Sequence, residues 1–83
     1  MYKVAFYKDA EKEFLKLNHQ VQKIVASKIM ELQSGNFSND KYLKGKHKGK
    51  FRKRAGNYRI IYLKENGFLV ITVIRVAHRK EVY

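Results

Sequence analysis

Three arginines, Arg52, Arg54 and Arg59, are the residues best suited to chemistry, and they flank the pair Gly56-Asn57. If that pair forms a two-residue hairpin turn, Arg54 stands opposite Arg59, and strand alternation places Arg52 on the same face. Like charges opposed across two strands are unfavourable. A phosphate group would neutralise the cluster, because it accepts paired hydrogen bonds from guanidinium groups. The alternative is a row of solvated arginines on an exposed sheet face.

A second group of reactive side chains, His78, Arg79 and Tyr83, occurs at the end of the sequence. RNA can be cleaved without a metal when a base removes the 2′-hydroxyl proton, cations stabilise the phosphate transition state and an acid protonates the departing 5′-oxygen. Tyrosine, histidine and arginine can share these tasks, and neighbouring arginines favour the phenolate form of a tyrosine. Taken alone, His78 is equally well explained by packing, and Tyr83 by a core position or a frayed end.

Positive charge is concentrated in the second half of the chain. Residues 1–40 carry six Lys/Arg and five Asp/Glu, whereas residues 41–83 carry thirteen and two. A run so basic repels itself unless an anionic partner covers it, so nucleic acid is the favoured partner and a merely solvated loop the alternative. The lysines expected to contact phosphate are Lys44, Lys46, Lys48 and Lys50.

The composition excludes several other kinds of site. The 83 residues contain no cysteine and are 45% hydrophobic, which indicates one folded domain over residues 1–83 without a disulfide or a thiolate metal site. The three histidines lack metal-ligand spacing, so neither a metal nor a cofactor is expected. The longest apolar run, residues 68–74, is far shorter than the roughly 20 residues that span a bilayer. Because no export signal is visible, we expect a cytoplasmic location and no membrane partner.

The elements that position these residues follow from the hydrophobic pattern. Residues 2–7 alternate as in a strand packed on one face. From Asp9, apolar residues recur at steps of three and four, which predicts two helices with a break at residues 17–19. Asn18 is expected to cap the second helix and Gly35 to end it, before a polar loop that reaches about Lys41.

The second half of the chain predicts a β-meander. Residues 50–54, 58–64 and 68–76 are rich in β-forming side chains, and turn residues separate them. The predicted fold is therefore α+β: an N-terminal strand, a two-helix hairpin and a three-stranded antiparallel meander, with the helices packed on one sheet face.

Three segments, residues 42–45, 49–62 and 74–83, carry a further signal. Together with the β-α-α-β-β-β order, they resemble the RelE/ParE superfamily of small toxins from type II toxin-antitoxin systems, and the RelE branch in particular. The resemblance covers nearly the whole chain. It implies a RelE-like, ribosome-dependent endoribonuclease, an mRNA interferase that cleaves mRNA in the ribosomal A site with contacts to 16S rRNA. It also implies inhibition by a cognate RelB-like antitoxin.

The resemblance also implies roles for individual residues. Arg59 would stabilise the transition-state phosphate, Arg79 would assist the leaving group, and Tyr83 would act as the base or stack on the nucleotide. Some relatives have lysines at the positions of the phosphate-binding arginines, and an arginine does not readily lose a proton, so the base role shifts toward Tyr83 or His78. The catalytic candidates are Arg59, Arg79, Tyr83 and, secondarily, His78, and the phosphate-binding candidates on the hairpin are Arg52 and Arg54.

Two other functions compete with RNA cleavage. The ParE branch shares the fold and poisons DNA gyrase, which would not need this set of arginines and a tyrosine. A basic nucleic-acid-binding module without catalysis would use the same charge only for affinity. In either toxin branch we expect a small acidic or amphipathic antitoxin encoded beside this gene.

Overall fold

A five-stranded sheet with the order β1-β5-β4-β3-β2 organises the chain. The structure is a computed structural model and describes residues 1–65 and 67–82. Antiparallel pairing joins β2 through β5, and β1 lies parallel to β5. The elements are β1 (Lys3–Phe6), α1 (Lys8–Leu15), α2 (His19–Gln33), β2 (Lys41–Tyr42), β3 (Phe51–Ala55), β4 (Tyr58–Glu65), β5 (Val70–His78) and α3 (Arg79–Val82). The predicted α+β fold class is confirmed.

The second helix, α2, begins and ends where the sequence indicates. The side chain of Asn18 accepts a hydrogen bond of 3.0 Å from the backbone N–H of Val21, which satisfies one of the free donors at the start of α2. After α2 the chain reverses at Gly35, whose φ of +86° suits a residue without a Cβ. The predicted cap and the predicted end of this helix are therefore both confirmed.

The two faces of the sheet are packed differently. The main core lies between the helices and one sheet face, and its fully buried members include Val25 and Leu32 from α2 and Ile60, Tyr62 and Val73 from the sheet. The opposite face, called the open face below, carries a smaller apolar cluster among the residues that the structure describes. That cluster consists of Leu43, Ile61, Ile74 and Ala77. The helices thus cover one face and leave the other available to a partner.

The β3–β4 hairpin has the predicted register. Ala55 pairs with Tyr58 and Arg54 with Arg59, across a turn in which Gly56 has a φ of +62°. A glycine at the first central position is what a type II′ turn requires, and this turn matches the twist of the flanking strands. The parity argument that brings the arginines to one face is therefore confirmed.

Some element boundaries differ from the prediction. The last strand begins at Val70 rather than at residue 68, because Leu69 has a φ of +53° and the N–H of Phe68 donates to the oxygen of Glu65. These contacts belong to a turn, which an apolar pattern cannot distinguish from a strand. The two-residue β2 and the short α3 were not predicted, because such short segments show no period. The parallel pairing of β1 with β5 was not predicted either, because the two strands are far apart in the sequence.

The outer edge of β5 is protected by one glutamate. Because β1 ends at Phe6, the backbone N–H of Val76 has no neighbouring strand on that side, and it donates to Oε1 of Glu13 at 2.9 Å. The other carboxylate oxygen of Glu13 accepts from Nη2 of Arg75, also at 2.9 Å. One side chain of α1 therefore replaces a missing strand and fixes the helix against the sheet.

Replacing Glu13 should destabilise the fold measurably. We expect Glu13→Ala to lower the free energy of unfolding by about 1–3 kcal/mol, because a sheet N–H loses its acceptor. Glu13→Gln should cost less, since its amide oxygen can still accept from Val76. Urea denaturation measures both, and Glu11→Ala, an exposed change on the same helix, is the control at under about 1 kcal/mol. Equal losses for the Glu13 and Glu11 variants would contradict this role.

Among residues 1–65 and 67–82, no helix combines the length and the apolar character needed to cross a bilayer.

Candidate functional site

The open face brings together the three arginines of the hairpin. Arg54 and Arg59 form a cross-strand pair, and Arg52 lies two residues along β3, opposite Ile61. The three side chains differ in exposure: Arg54 is exposed, Arg52 is half-buried, and Arg59 is only 8% exposed. A buried arginine does not fit a row of solvated charges, so that alternative fails for Arg59.

Arg59 is anchored by the turn that it follows. Its Nη1 donates to the carbonyl oxygens of Gly56 at 3.0 Å and Tyr58 at 2.9 Å. Its Nε is buried and has no hydrogen-bond acceptor among the described residues. A buried donor without a partner costs about 1–3 kcal/mol, more for a charged group. The two hydrogen bonds from Nη1 therefore give the guanidinium a fixed orientation, which suits a group that binds an anion in one geometry.

A lysine-rich segment, residues 43–50 and called the basic loop below, crosses the open face. Leu43 anchors it by packing with the apolar cluster of that face, and the N–H of Leu43 donates to the oxygen of Lys50 at 2.9 Å. Between these ends runs a 3-10 turn, Gly45–His47. Lys44, Lys46 and Lys48 are exposed, and Lys50 is half-buried. The predicted phosphate-binding lysines thus lie on a loop that is anchored to the face carrying the three arginines.

His47 lies in the basic loop and is not among the site residues predicted from the sequence. It is half-buried in the basic loop, and its Nδ1 is buried without an acceptor or donor among the described residues. Burial lowers the pKa of His47 from its ordinary value, and the positive charges of Lys50, Lys46 and Arg75 lower it further. The sequence feature that could have indicated this is the position of His47 between Lys46 and Lys48, because neighbouring positive charges favour the neutral form of a histidine.

The lowered pKa of His47 predicts a pH dependence of stability. Below about pH 6.5, the ordinary pKa of the group, the unfolded chain takes up a proton before the folded chain does. The free energy of unfolding should therefore fall as the pH decreases, until His47 is protonated in the folded state as well. We expect His47→Gln to flatten this part of the profile in urea denaturation. His19→Gln, which removes an exposed histidine, is the control, and an unchanged profile in the His47 variant would contradict the prediction.

The start of α3 lies beside the hairpin turn. The backbone N–H of Arg79 donates to the oxygen of Asn57 at 2.8 Å, so Arg79 begins at the same end of the sheet as Arg54 and Arg59. Its own side chain is exposed. The expectation that the tail returns beside the hairpin is confirmed for Arg79. Tyr83 lies outside the described residues.

His78 is placed differently from the other candidates. It pairs with Tyr58 across β4 and β5, and the two rings meet edge to face with centroids 5.4 Å apart. Tyr58 packs against the main core, on the helix-covered face of the sheet. His78 therefore lies on the opposite face from Arg59, whose cross-strand partner on β5 is Ala77.

Lys53 is the second residue whose role the sequence conceals. Although it lies between two arginines, it projects to the core side and is only 3% exposed. Its Nζ is 3.0 Å from Oδ1 of Asp40 and 3.5 Å from Oε1 of Glu31. The hydroxyl of Tyr62 donates to Oδ2 of Asp40 at 2.5 Å, and burial together with this hydrogen bond raises the pKa of Tyr62. Lys53 therefore belongs to a buried polar network and not to the basic surface.

A cavity of about 540 Å³ lies between α1 and β5. Its walls include Tyr7, Lys12 and Arg75, but none of the three hairpin arginines. Within the described part of the chain, no three histidine, aspartate or glutamate side chains are grouped so that they could hold a metal ion.

Comparison with known proteins gives a consistent picture. A family described as the ParE toxin of type II toxin-antitoxin system, parDE, matches residues 4–83. No curated protein matches the chain significantly. A chain of the intact RelBE toxin-antitoxin complex of E. coli is 27% identical, with a TM-score of 0.77 over 94% of this chain and 96% of that one. For the RelBE2 toxin-antitoxin complex of Mycobacterium tuberculosis the identity is 26% and the TM-score 0.70, over 94% and 98%.

An archaeal structure shares the same fold. The RelE-RelB complex of Pyrococcus horikoshii OT3 contains a chain that is 23% identical, with a TM-score of 0.74 over 98% of both chains. The family match spans nearly all of the sequence, and the solved structures reproduce the sheet and helical hairpin described above. This chain therefore belongs to the ParE toxin family of type II toxin-antitoxin systems and is a toxin of the RelE/ParE type.

Proposed function

We propose that this toxin is a RelE-like, ribosome-dependent endoribonuclease that cleaves mRNA in the A site and so inhibits translation. The observation that carries the proposal is the open face, where Arg52, Arg54 and Arg59 share one side of the β3–β4 hairpin and Leu43 anchors the basic loop to the same face. Arg79 begins α3 at the same end of the sheet. Four guanidinium groups and a lysine-rich loop match a chain of phosphates, and the anchored Arg59 supplies an oriented donor for one of them.

The proposed reaction proceeds by attack of a 2′-hydroxyl oxygen on the adjacent phosphorus. A base takes the hydroxyl proton, the new O–P bond closes a 2′,3′-cyclic phosphate, and the bond to the 5′-oxygen breaks as that oxygen receives a proton. Arg59 stabilises the charge that develops on the phosphate, and Arg79 assists the leaving group. Arg52 and Arg54 hold the neighbouring phosphates. The arginine cations supply the electrostatic stabilisation that such a transition state requires.

Tyr83 is the proposed base, or the residue that orients the nucleotide by stacking. The arginines of the open face cannot take this role, because a guanidinium group does not lose its proton near neutral pH. His78 is less suitable than Tyr83, since its ring packs on Tyr58 at the opposite sheet face.

The ribosome is proposed as the positioning partner. A site without a strong base gains most from a substrate that is already held in a reactive geometry, and this contribution reaches several kcal/mol in oriented reactions. The basic loop and the open face would contact 16S rRNA and the mRNA backbone together. We therefore expect only weak cleavage of free RNA, and vigorous cleavage without ribosomes would contradict this part of the proposal.

A RelB-like antitoxin is the proposed protein partner. The chain carries a formal charge of +12, and residues 41–83, which include the arginines of the open face and the basic loop, carry thirteen Lys/Arg against two Asp/Glu. An acidic segment of an antitoxin can cover the same arginines by charge complementarity and so block the site. In support, the E. coli and M. tuberculosis structures similar to this chain are toxin-antitoxin complexes. The absence of a small reading frame beside the gene would count against this partner.

Inhibition of DNA gyrase is the second candidate function. It is favoured by the description of the matching family as the ParE toxin. The open face argues for RNA, since a non-enzymatic inhibitor needs no buried arginine with a free donor. A third possibility, nucleic-acid binding without catalysis, predicts affinity that follows the salt concentration but no cleavage products.

One experiment separates these functions. The chain is expressed from a tight promoter, the 5′ ends of cellular mRNA are mapped, and gyrase-dependent DNA breaks are assayed in the same culture. New 5′ ends inside translated frames, absent for Arg79→Ala and present for Lys80→Ala, are the expected result. DNA breaks with intact messages would overturn the proposal in favour of gyrase, and the absence of both new 5′ ends and DNA breaks would overturn it in favour of the non-catalytic module.

A further inference from the structure

Three contacts hold the start of α3 against the sheet. The backbone N–H of Lys80 donates to Nδ1 of His78 at 3.2 Å. The imidazole of His78 packs edge to face on Tyr58, and the N–H of Arg79 donates to the oxygen of Asn57. Two of these three contacts are made by one side chain. His78 therefore determines how the chain leaves β5 and enters α3.

His78 occupies the capping position of this short helix. It is the residue directly before Arg79, and its side chain accepts from the second N–H of α3, as an asparagine or a serine does at an ordinary helix start. That N–H has no acceptor within the helix, because the first four donors of any helix are free. An imidazole nitrogen here takes the place of the usual side-chain oxygen.

The cap also specifies which ring nitrogen is the acceptor. A nitrogen that accepts a hydrogen bond carries no proton, so in this arrangement the single ring proton of His78 is on Nε2. The only basic lone pair of the neutral ring is then bound to the backbone of Lys80. While α3 is capped in this way, His78 has no free nitrogen with which to take a proton from a 2′-hydroxyl.

We infer that His78 is a positioning residue, which caps α3 and thereby holds Arg79 beside the β3–β4 turn, and that it takes no part in proton transfer. The inference deepens the proposed function and rests on it as far as RNA cleavage is concerned. The placement of α3 itself stands on the contacts alone.

Two substitutions separate the cap from the ring. His78→Asn keeps a side-chain acceptor for the Lys80 N–H but removes the imidazole, and asparagine is among the best capping residues. His78→Phe keeps an aromatic ring against Tyr58 but removes the acceptor. We expect His78→Asn to cleave mRNA on ribosomes within about threefold of the wild-type rate and His78→Phe to lose roughly five- to tenfold, the usual effect of a lost cap on helix population.

Amide hydrogen exchange of the free toxin gives a readout that does not depend on activity. The Lys80 amide should exchange roughly five- to tenfold faster in His78→Phe than in the wild type, and His78→Asn should restore its protection. The amides of β4 report whether each variant is folded, since they lie in the centre of the sheet. Unchanged exchange of Lys80 in a folded His78→Phe variant would overturn the cap.

The cleavage and exchange measurements together distinguish a failure of the positioning role of His78 from a failure of the proposed function. Loss of cleavage in both variants, with Lys80 protected in His78→Asn, would show that the imidazole itself is required and would overturn the positioning role. If the wild-type protein cleaves no RNA, the proposed function fails. The exchange of Lys80 then still decides whether His78 caps α3.

Discussion

Arg79→Ala should lower the rate of mRNA cleavage on ribosomes by about 100- to 1,000-fold, the usual effect of removing one donor that stabilises a developing charge. Arg79 is exposed, and the hydrogen bond to the hairpin turn comes from its backbone N–H, so the alanine variant keeps that hydrogen bond. Its free energy of unfolding should therefore stay within about 0.5 kcal/mol of the wild-type value. Single-turnover cleavage of a programmed ribosome measures the first quantity, and urea denaturation the second.

Lys80→Ala is the matched control for this prediction. It removes the same charge from the next exposed position of the same helix, and its backbone N–H still reaches His78. We expect a loss of less than about threefold, from weaker electrostatic attraction to RNA alone. Tyr83→Ala should behave like Arg79→Ala. Full activity of both the Arg79 and the Tyr83 variants would rule out the proposed site.

Lys53→Met should be the most destabilising single substitution among the basic residues. It leaves the carboxylate of Asp40, whose side chain is 4% exposed, buried without its cation. Breaking a buried ion pair by removing one partner costs about 3–5 kcal/mol. The total free energy of unfolding of such a domain is about 5–15 kcal/mol, so the variant loses a large part of its stability. Urea denaturation followed by circular dichroism measures the loss.

The double variant Lys53→Met with Asp40→Asn tests the cause. The amide removes the unpaired charge and still offers an oxygen to the hydroxyl of Tyr62, so the double variant should recover part of the lost stability. Arg54→Met, an exposed change on the same strand, should cost under about 0.5 kcal/mol. If the Lys53 and Arg54 variants were equally stable, the buried network would have no energetic role.

Strand parity explains why much of the open face could be predicted. A two-residue turn at Gly56-Asn57 leaves one register, and that register determines the face of each arginine. The same reasoning puts Lys53 on the core side, yet a lysine among arginines is normally solvated. Its partners, Asp40 and Glu31, lie far away in the sequence, so only the folded structure shows that its charge is compensated.

The other differences between the sequence prediction and the structure also come from contacts between residues that are far apart in the sequence. His47 and His78 look equivalent as isolated histidines, but one lies in the basic loop of the open face and the other packs on Tyr58 across the sheet. A two-residue strand and a four-residue helix have too few residues for a period to appear, so β2 and α3 follow from the tertiary structure. The pairing of β1 with β5 is a long-range contact, which local patterns do not contain.

Successive side chains of β3 point to opposite faces of the sheet, and this has a consequence for a genetic selection. A selection for cells that survive expression of this toxin would recover substitutions at Arg52, Lys53 and Arg54, three consecutive codons. Protein from survivors at the middle codon should be degraded or insoluble, whereas protein from survivors at the outer two codons should remain soluble and folded. The abundance of each survivor would therefore alternate from codon to codon, and an immunoblot would reveal the two faces of the strand.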